Sequence, residues 1–144
     1  MSSSIFTYGS LMFAEVWQKV VAGQYASAKA TFYGYQRFAL RGETYPGIVA
    51  RATGSVDGLV YLDVSDADIA ALDAFEGVDY RRIEAGVTSA DGTPVAVQTY
   101  LMLQPQQLSD QPWLPEQFAL QRFLDTYCRD HFNDQAAAAK QPLE

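Results

Sequence analysis

β-prone stretches dominate the middle of the chain, and only one helical pattern interrupts them. Ala28 to Leu40 alternates loosely, is rich in aromatic residues and is broken at Gly34, which fits two strands or one bulged strand. Tyr45-Pro46-Gly47 is a turn signal ahead of the short apolar run Ile48-Val49-Ala50. Ser55 to Val64 reads as a strand, with Gly54 before it and Gly58 inside it. Arg82 to Ser89 and Pro94 to Leu103 read as two strands joined by the hairpin signal Asp91-Gly92. Strands arranged in this way lack the regular alternation with helices of an α/β chain. The expected fold is α+β, a small mixed β-barrel-like sheet with flanking helices.

Helical signals sit around this block. Ile5 to Tyr8 is a short β-prone run ending at Gly9, and Phe13 to Val21 follows as a helix. Val16, Trp17, Val20 and Val21 lie near one face of that helix, and Gly23 is its stop. Ser65 can cap a second helix, whose positive end suits Asp66 and Asp68. Ile69, Leu72 and Phe75 share one face of it, and Gly77 ends it. A Pro-rich connection with Pro105, Pro112 and Pro115 leads to a last helix, from about Glu116 to Phe132. Residues 1–132 are expected to form a single domain, and the alanine-rich tail 133–144 to fray or be disordered.

Charge and composition exclude several classes. The 144 residues carry a net charge of -7, which argues against nucleic acid or an anionic membrane as the main partner. No apolar run approaches the ~20 residues of a membrane helix. The start, Met-Ser-Ser-Ser, lacks the basic and apolar segments of a signal peptide, so a cytoplasmic protein is expected. Cys128 and His131 are the only residues of their kinds, which excludes an internal disulfide and a Cys/His zinc cluster. No acidic run has the spacing of a Mg or Ca site. No metal and no cofactor are expected.

Two constellations can carry chemistry. In Tyr8-Gly9-Ser10-Leu11-Met12, a glycine at a strand–helix junction allows close approach or φ > 0, and the N–H groups that follow favour an anion. The ordinary reading of such a junction is a tight turn with Ser10 as a cap. In Leu72-Asp73-Ala74-Phe75-Glu76-Gly77, Glu76 lies at the carbonyl end of its helix. The dipole there disfavours a carboxylate by only ~0.3–1 kcal/mol, less than one pKa unit. Bringing a glutamate near neutrality needs about 3.5 kcal/mol or more, so burial must supply the rest, with Phe75 and Tyr80 as candidate apolar walls. The ordinary reading is a solvated glutamate paired with Arg81 or Arg82. His131 near the C-terminus, Cys128 within a helix and Trp113 between prolines read as a surface, a core and a packing residue.

Taken in order, these segments resemble the gamma-glutamylcyclotransferase superfamily in its avirulence-induced-gene-like branch. The resemblance rests on residues 6–11 (Phe-Thr-Tyr-Gly-Ser-Leu), 45–49 (Tyr-Pro-Gly-Ile-Val) and 54–61 (Gly-Ser-Val-Asp-Gly-Leu-Val-Tyr). It continues through residues 72–77 with Tyr80 and Arg82, and through Tyr100-Leu101. It implies a small barrel with flanking helices, Glu76 as the acid–base residue, and substrate held by Tyr8, Gly9, Ser10 and Leu11. Met12, Phe13 and Tyr100 are implied next to the substrate.

The implied reaction is internal attack of a gamma-glutamyl α-amine on its own γ-carbonyl, which gives 5-oxoproline and releases an amine. An alternative reading is a binding module that retains gamma-glutamyl-like small molecules without turnover. A third is an interaction protein that pairs through its aromatic C-terminal helix. Specificity for the leaving amine is expected at the pocket mouth, around Arg41 to Tyr45 and Gln104 to Trp113.

Overall fold

A computed structural model describes residues 2–115 and Leu124. The expected last helix and tail, with Cys128 and His131, fall outside the described residues. The strands are β1 (Ser2–Thr7), β2 (Ser27–Leu40), β3 (Pro46–Ser65), β4 (Tyr80–Ser89), β5 (Pro94–Met102) and β6 (Leu108–Pro112). Helices α1 (Ala14–Val20) and α2 (Asp66–Glu76) flank them. The sheet order is β3-β1-β5-β4-β2-β6, and pairing of β2 with β3 closes the first five of these strands into a ring. The sheet is mixed: β1 runs antiparallel to β3 and parallel to β5. This is the α+β, barrel-like architecture expected from the sequence.

Ala28 to Leu40 forms one bulged strand. Its register with β3 slips between Tyr33 and Tyr35, around Gly34 at φ 90°. Opposite the slip, β3 carries the unpaired stretch 51–54, so the Ile48 run and the Ser55 strand are one continuous element. A second difference lies in the Pro-rich connection, part of which pairs with β2 as strand β6. Proline is tolerated there because β6 is at the sheet edge, where a missing N–H breaks no ladder on its open side.

Alternation along β1 divides the core. Ile5 packs with Val16, Trp17, Ile69, Leu72 and Phe75, on the helix side. Phe6 packs with Phe32, Ile48, Val56, Val60 and Val97, within the ring. Trp17 stacks on Tyr61 with ring centroids 3.7 Å apart, which docks α1 on β3. Ser65 Oγ caps α2 by accepting from Asp68 N at 3.2 Å. The buried Asp68 carboxylate in turn accepts from Ala22 N, Gly23 N and the Tyr25 hydroxyl, tying the exit of α1 to the start of α2. Burial pushes the Asp68 carboxyl up, but these hydrogen bonds outweigh it and hold the group below its ordinary value. Among the described residues, no helix is long and apolar enough to cross a membrane.

Gly58 is where β3 meets β1 most closely: a Cβ there would lie 2.1 Å from the Thr7 carbonyl oxygen and 2.8 Å from the Phe6 ring. Backbone cannot yield as a flexible side chain can. Gly58→Ala is expected to lower stability by about 1–3 kcal/mol or more. Gly86→Ala, where an added Cβ meets nothing within 4 Å, should leave it unchanged or slightly raised. Urea denaturation of both variants checks this contrast.

Candidate active site

The pocket opens where β1 leaves the ring. Thr7 Oγ1 donates to Leu59 O at 3.1 Å, and Thr99 Oγ1 donates to Phe6 O at 2.9 Å, so the last residues of β1 are pinned on both sides. The chain then turns through Gly9 into a short 3-10 turn, Ser10–Met12, and reaches α1. Gly9 has φ -130°, so its role is close approach: an added Cβ would lie 2.8 Å from the Pro46 ring. Gly9 caps the turn without a side-chain bond, and Ser10 lies inside the turn rather than capping it.

The lining consists of Phe6, Thr7, Tyr8, Gly9, Ser10 and Leu11 from this segment, with Tyr45 and Pro46 opposite. Phe75, Glu76, Tyr80 and Tyr100 complete it. The pocket holds about 430 Å³ free of protein atoms, open solvent at its mouth included. Ser10 is buried, and its hydroxyl makes no hydrogen bond among the described residues. Ser10 and Leu11 open the 3-10 turn, so their N–H groups have no acceptor within it.

Two polar contacts hold the Tyr8 side of the pocket. The Tyr8 hydroxyl donates to the Tyr100 carbonyl, and Arg37 donates to the Tyr8 carbonyl at 2.7 Å. The Arg37 guanidinium also lies over the Trp113 ring, 5.1 Å from its centroid. Trp113 is buried and donates to Thr44 O at 2.9 Å, which bears out its reading as a packing residue. Across the pocket, the Tyr80 hydroxyl donates to Pro46 O at 2.7 Å.

Glu76 is the last residue of α2, followed by Gly77 at φ 81°. It keeps some surface exposure and lines the pocket, and protein atoms crowd it enough to desolvate its carboxyl. Burial raises its pKa from 4.5 to about 8, with a further upward push from the Asp73 charge. Phe75 and Tyr80 stand beside it as expected. Burial also raises Tyr8, Tyr45 (to about 12) and Tyr100, so these phenols keep their protons near neutral pH.

Arg82 forms a two-pronged ion pair with Asp73, at 3.0 and 3.2 Å. Met12 and Phe13, expected beside the substrate, lie outside the lining. The Met12 sulfur sits 3.9 Å from Arg37, and Phe13 caps α1 and packs against the helix-side core. Of the two expected mouth segments, only Tyr45 reaches the pocket wall; the part of Gln104 to Trp113 that pairs does so with β2. Sequence reasoning missed Arg37 and Asp73 as site supports. Arg37 reaches Tyr8 and Asp73 reaches Tyr100 across long stretches of chain, and no local pattern marks those contacts.

The sequence model of a family described as gamma-glutamyl cyclotransferase, AIG2-like, matches residues 5–118. Protein AIG2 C of Arabidopsis thaliana is 36% identical over 101 residues, which cover 69% of this chain and 61% of that protein. A Methanocaldococcus jannaschii protein named as a gamma-glutamylcyclotransferase and putative RNase is 28% identical over 100 residues, covering 68% of this chain and 45% of that one. The chain thus spans about three-fifths or less of the length of these relatives. A solution structure from Arabidopsis thaliana superposes with a TM-score of 0.70 at 28% identity, covering 98% of this chain and 88% of that one. A structure named gamma-glutamyl cyclotransferase has a TM-score of 0.62 at 22% identity, over 71% of this chain and 67% of its own, and bears on the fold alone.

The raised Glu76 pKa has a consequence for stability. Between about 4.5 and 8 the folded protein holds a proton that the unfolded chain releases. Stability from this group is therefore full below 4.5 and is lost as pH rises through about 8. At ~1.4 kcal/mol per unit the loss is on the order of several kcal/mol. Glu76→Gln cannot ionise, so denaturation midpoints measured across this range should fall with pH in wild type and much less in the variant.

Proposed function

The chain belongs to the AIG2-like gamma-glutamyl cyclotransferase family, and we propose that it cyclises a gamma-glutamyl compound to 5-oxoproline with release of an amine. The observation that carries this reading is the single crowded carboxyl of Glu76, with a pKa of about 8, in the wall of a small phenol-lined pocket.

The chemistry asks little of the protein beyond alignment. The α-amine and the γ-carbonyl belong to one molecule, and well-oriented intramolecular attack reaches very high effective molarity. Glu76 takes a proton from the attacking amine as the C–N bond of the lactam forms. It returns a proton to the leaving nitrogen as the old amide bond breaks. One group can do both because its pKa lies near the working pH, where each form is accessible, and such transfer is worth ~10²–10⁴-fold. The N–H groups of Ser10 and Leu11, with the Ser10 hydroxyl, which has no hydrogen bond among the described residues, supply donors for the substrate carboxylate or the developing oxyanion. The cytoplasmic location and single-domain organisation expected from the sequence accompany this reading as proposals.

The test is a panel of gamma-glutamyl amines and dipeptides assayed for 5-oxoproline. Wild type is expected to release it from at least one, and Glu76→Gln to lose roughly 10²-fold or more in kcat while still binding substrate. Equal release by the variant would remove Glu76 from the mechanism. Tight binding without product from any substrate would favour a binding module instead.

A further inference from the structure

Asp73 takes no part in the reaction above, yet several contacts converge on it. Its Oδ1 accepts from the Tyr100 hydroxyl at 2.6 Å and from Arg82 Nε at 3.0 Å, while Oδ2 accepts from Arg82 Nη2 at 3.2 Å. Arg82 also donates to Gln98, on the same strand as Tyr100. Asp73 precedes Glu76 by one helical turn, so α2 presents the two carboxylates on neighbouring positions.

A phenol has one hydrogen to give. Asp73 takes that of Tyr100, so towards any other neighbour the hydroxyl oxygen offers lone pairs only. Tyr100 is buried, lines the pocket and feels the charge of Glu76 at its hydroxyl. We propose that Asp73 is a positioning residue: by holding the Tyr100 hydrogen it fixes that hydroxyl as an acceptor in the pocket and thereby sets the place of the substrate's α-ammonium. This inference rests on the gamma-glutamyl reading of the site. An ammonium carries donors only, whereas a carboxylate or amide oxygen would meet lone pairs and the Asp73 carboxylate at this point. The assignment brings the attacking nitrogen to the side of the pocket where Glu76 waits for its proton. It leaves the opposite side, with Ser10 and Leu11, for the anionic end.

Asp73 also acts on Glu76 through its charge. Around Glu76 stand the phenols of Tyr8 at the end of β1, Tyr45 before β3, Tyr80 on β4 and Tyr100 on β5. Arg82 lies behind Asp73, and the Glu43 and Asp79 carboxylates act on Tyr45. Removing the Asp73 charge should move the ionisation of Glu76 downward, a change that a merely structural residue would not cause.

The experiment compares binding of glutamate with binding of glutarate, which lacks the ammonium, by calorimetry on the full chain. Wild type is expected to prefer glutamate by roughly tenfold or more, as for a hydrogen bond to a charged group. Asp73→Leu and Tyr100→Phe should each bring the two ligands close to parity, and the double variant should lose no more than either single one. Asp73→Asn keeps an acceptor oxygen; it should retain most of the preference while the pH of half-maximal kcat/KM for 5-oxoproline release moves lower. Equal binding of the two ligands by wild type, additive losses in the double variant, or an unmoved pH profile in Asp73→Asn would each overturn the proposal. If Asp73→Leu does not fold, Tyr100→Phe and Asp73→Asn decide it. Selective glutamate binding without any 5-oxoproline formation would support the Asp73 assignment and defeat the cyclisation reading.

Discussion

The ring of strands closes on β1, a six-residue strand held between antiparallel and parallel neighbours. Its last residues are pinned by threonine hydroxyls from two directions, and Gly58 gives up a side chain so that β3 can pass the Thr7 carbonyl. Where β1 ends, the chain must leave the ring, and it does so against the Pro46 ring at Gly9. The pocket-lining segment Tyr8 to Leu11 is therefore a direct product of barrel closure. Arg37 reinforces it from β2 by drawing the Tyr8 carbonyl towards a guanidinium seated over Trp113.

The second determinant is desolvation. A helix terminus alone shifts a carboxyl by less than one unit, so the C-terminal position of Glu76 on α2 does not account for its raised pKa. The phenol-lined wall around it does, with burial as the leading cause and the Asp73 charge as the second. Asp73 itself pairs with Arg82, one turn away from Glu76 on α2. Helix α2 thus carries two carboxylates in contrasting environments: Glu76 crowded and raised in the pocket wall, Asp73 paired with Arg82 outside the lining. Separation of that kind lets neighbouring acids take different roles.

Much of this was legible in the sequence where the signal is local. Ser65 and Gly77 bound α2 because capping and left-handed termination depend on the residue present. Asp91-Gly92 sets the β4–β5 hairpin for the same reason. What was not legible depends on long-range pairing. The continuity of β3 across 51–54 needs β2 as a template, and β6 becomes a strand only because the edge of β2 is free to accept it. At the site, Tyr8 through Leu11, Glu76 and Tyr100 line one pocket, and Met12 and Phe13 lie outside that lining, towards Arg37 and the core. Burial of Glu76, read locally as a solvated helix-end residue, follows from strands that lie far from it in sequence.

The central claim is that the fold holds Glu76 as a proton carrier poised near neutral pH. NMR titration of the Glu76 side-chain carboxyl carbon in the free protein, assigned by comparison with Glu76→Gln, tests it most directly. A midpoint near 8 is expected. A midpoint at the ordinary glutamate value near 4.5, in a protein that remains folded throughout, would contradict it.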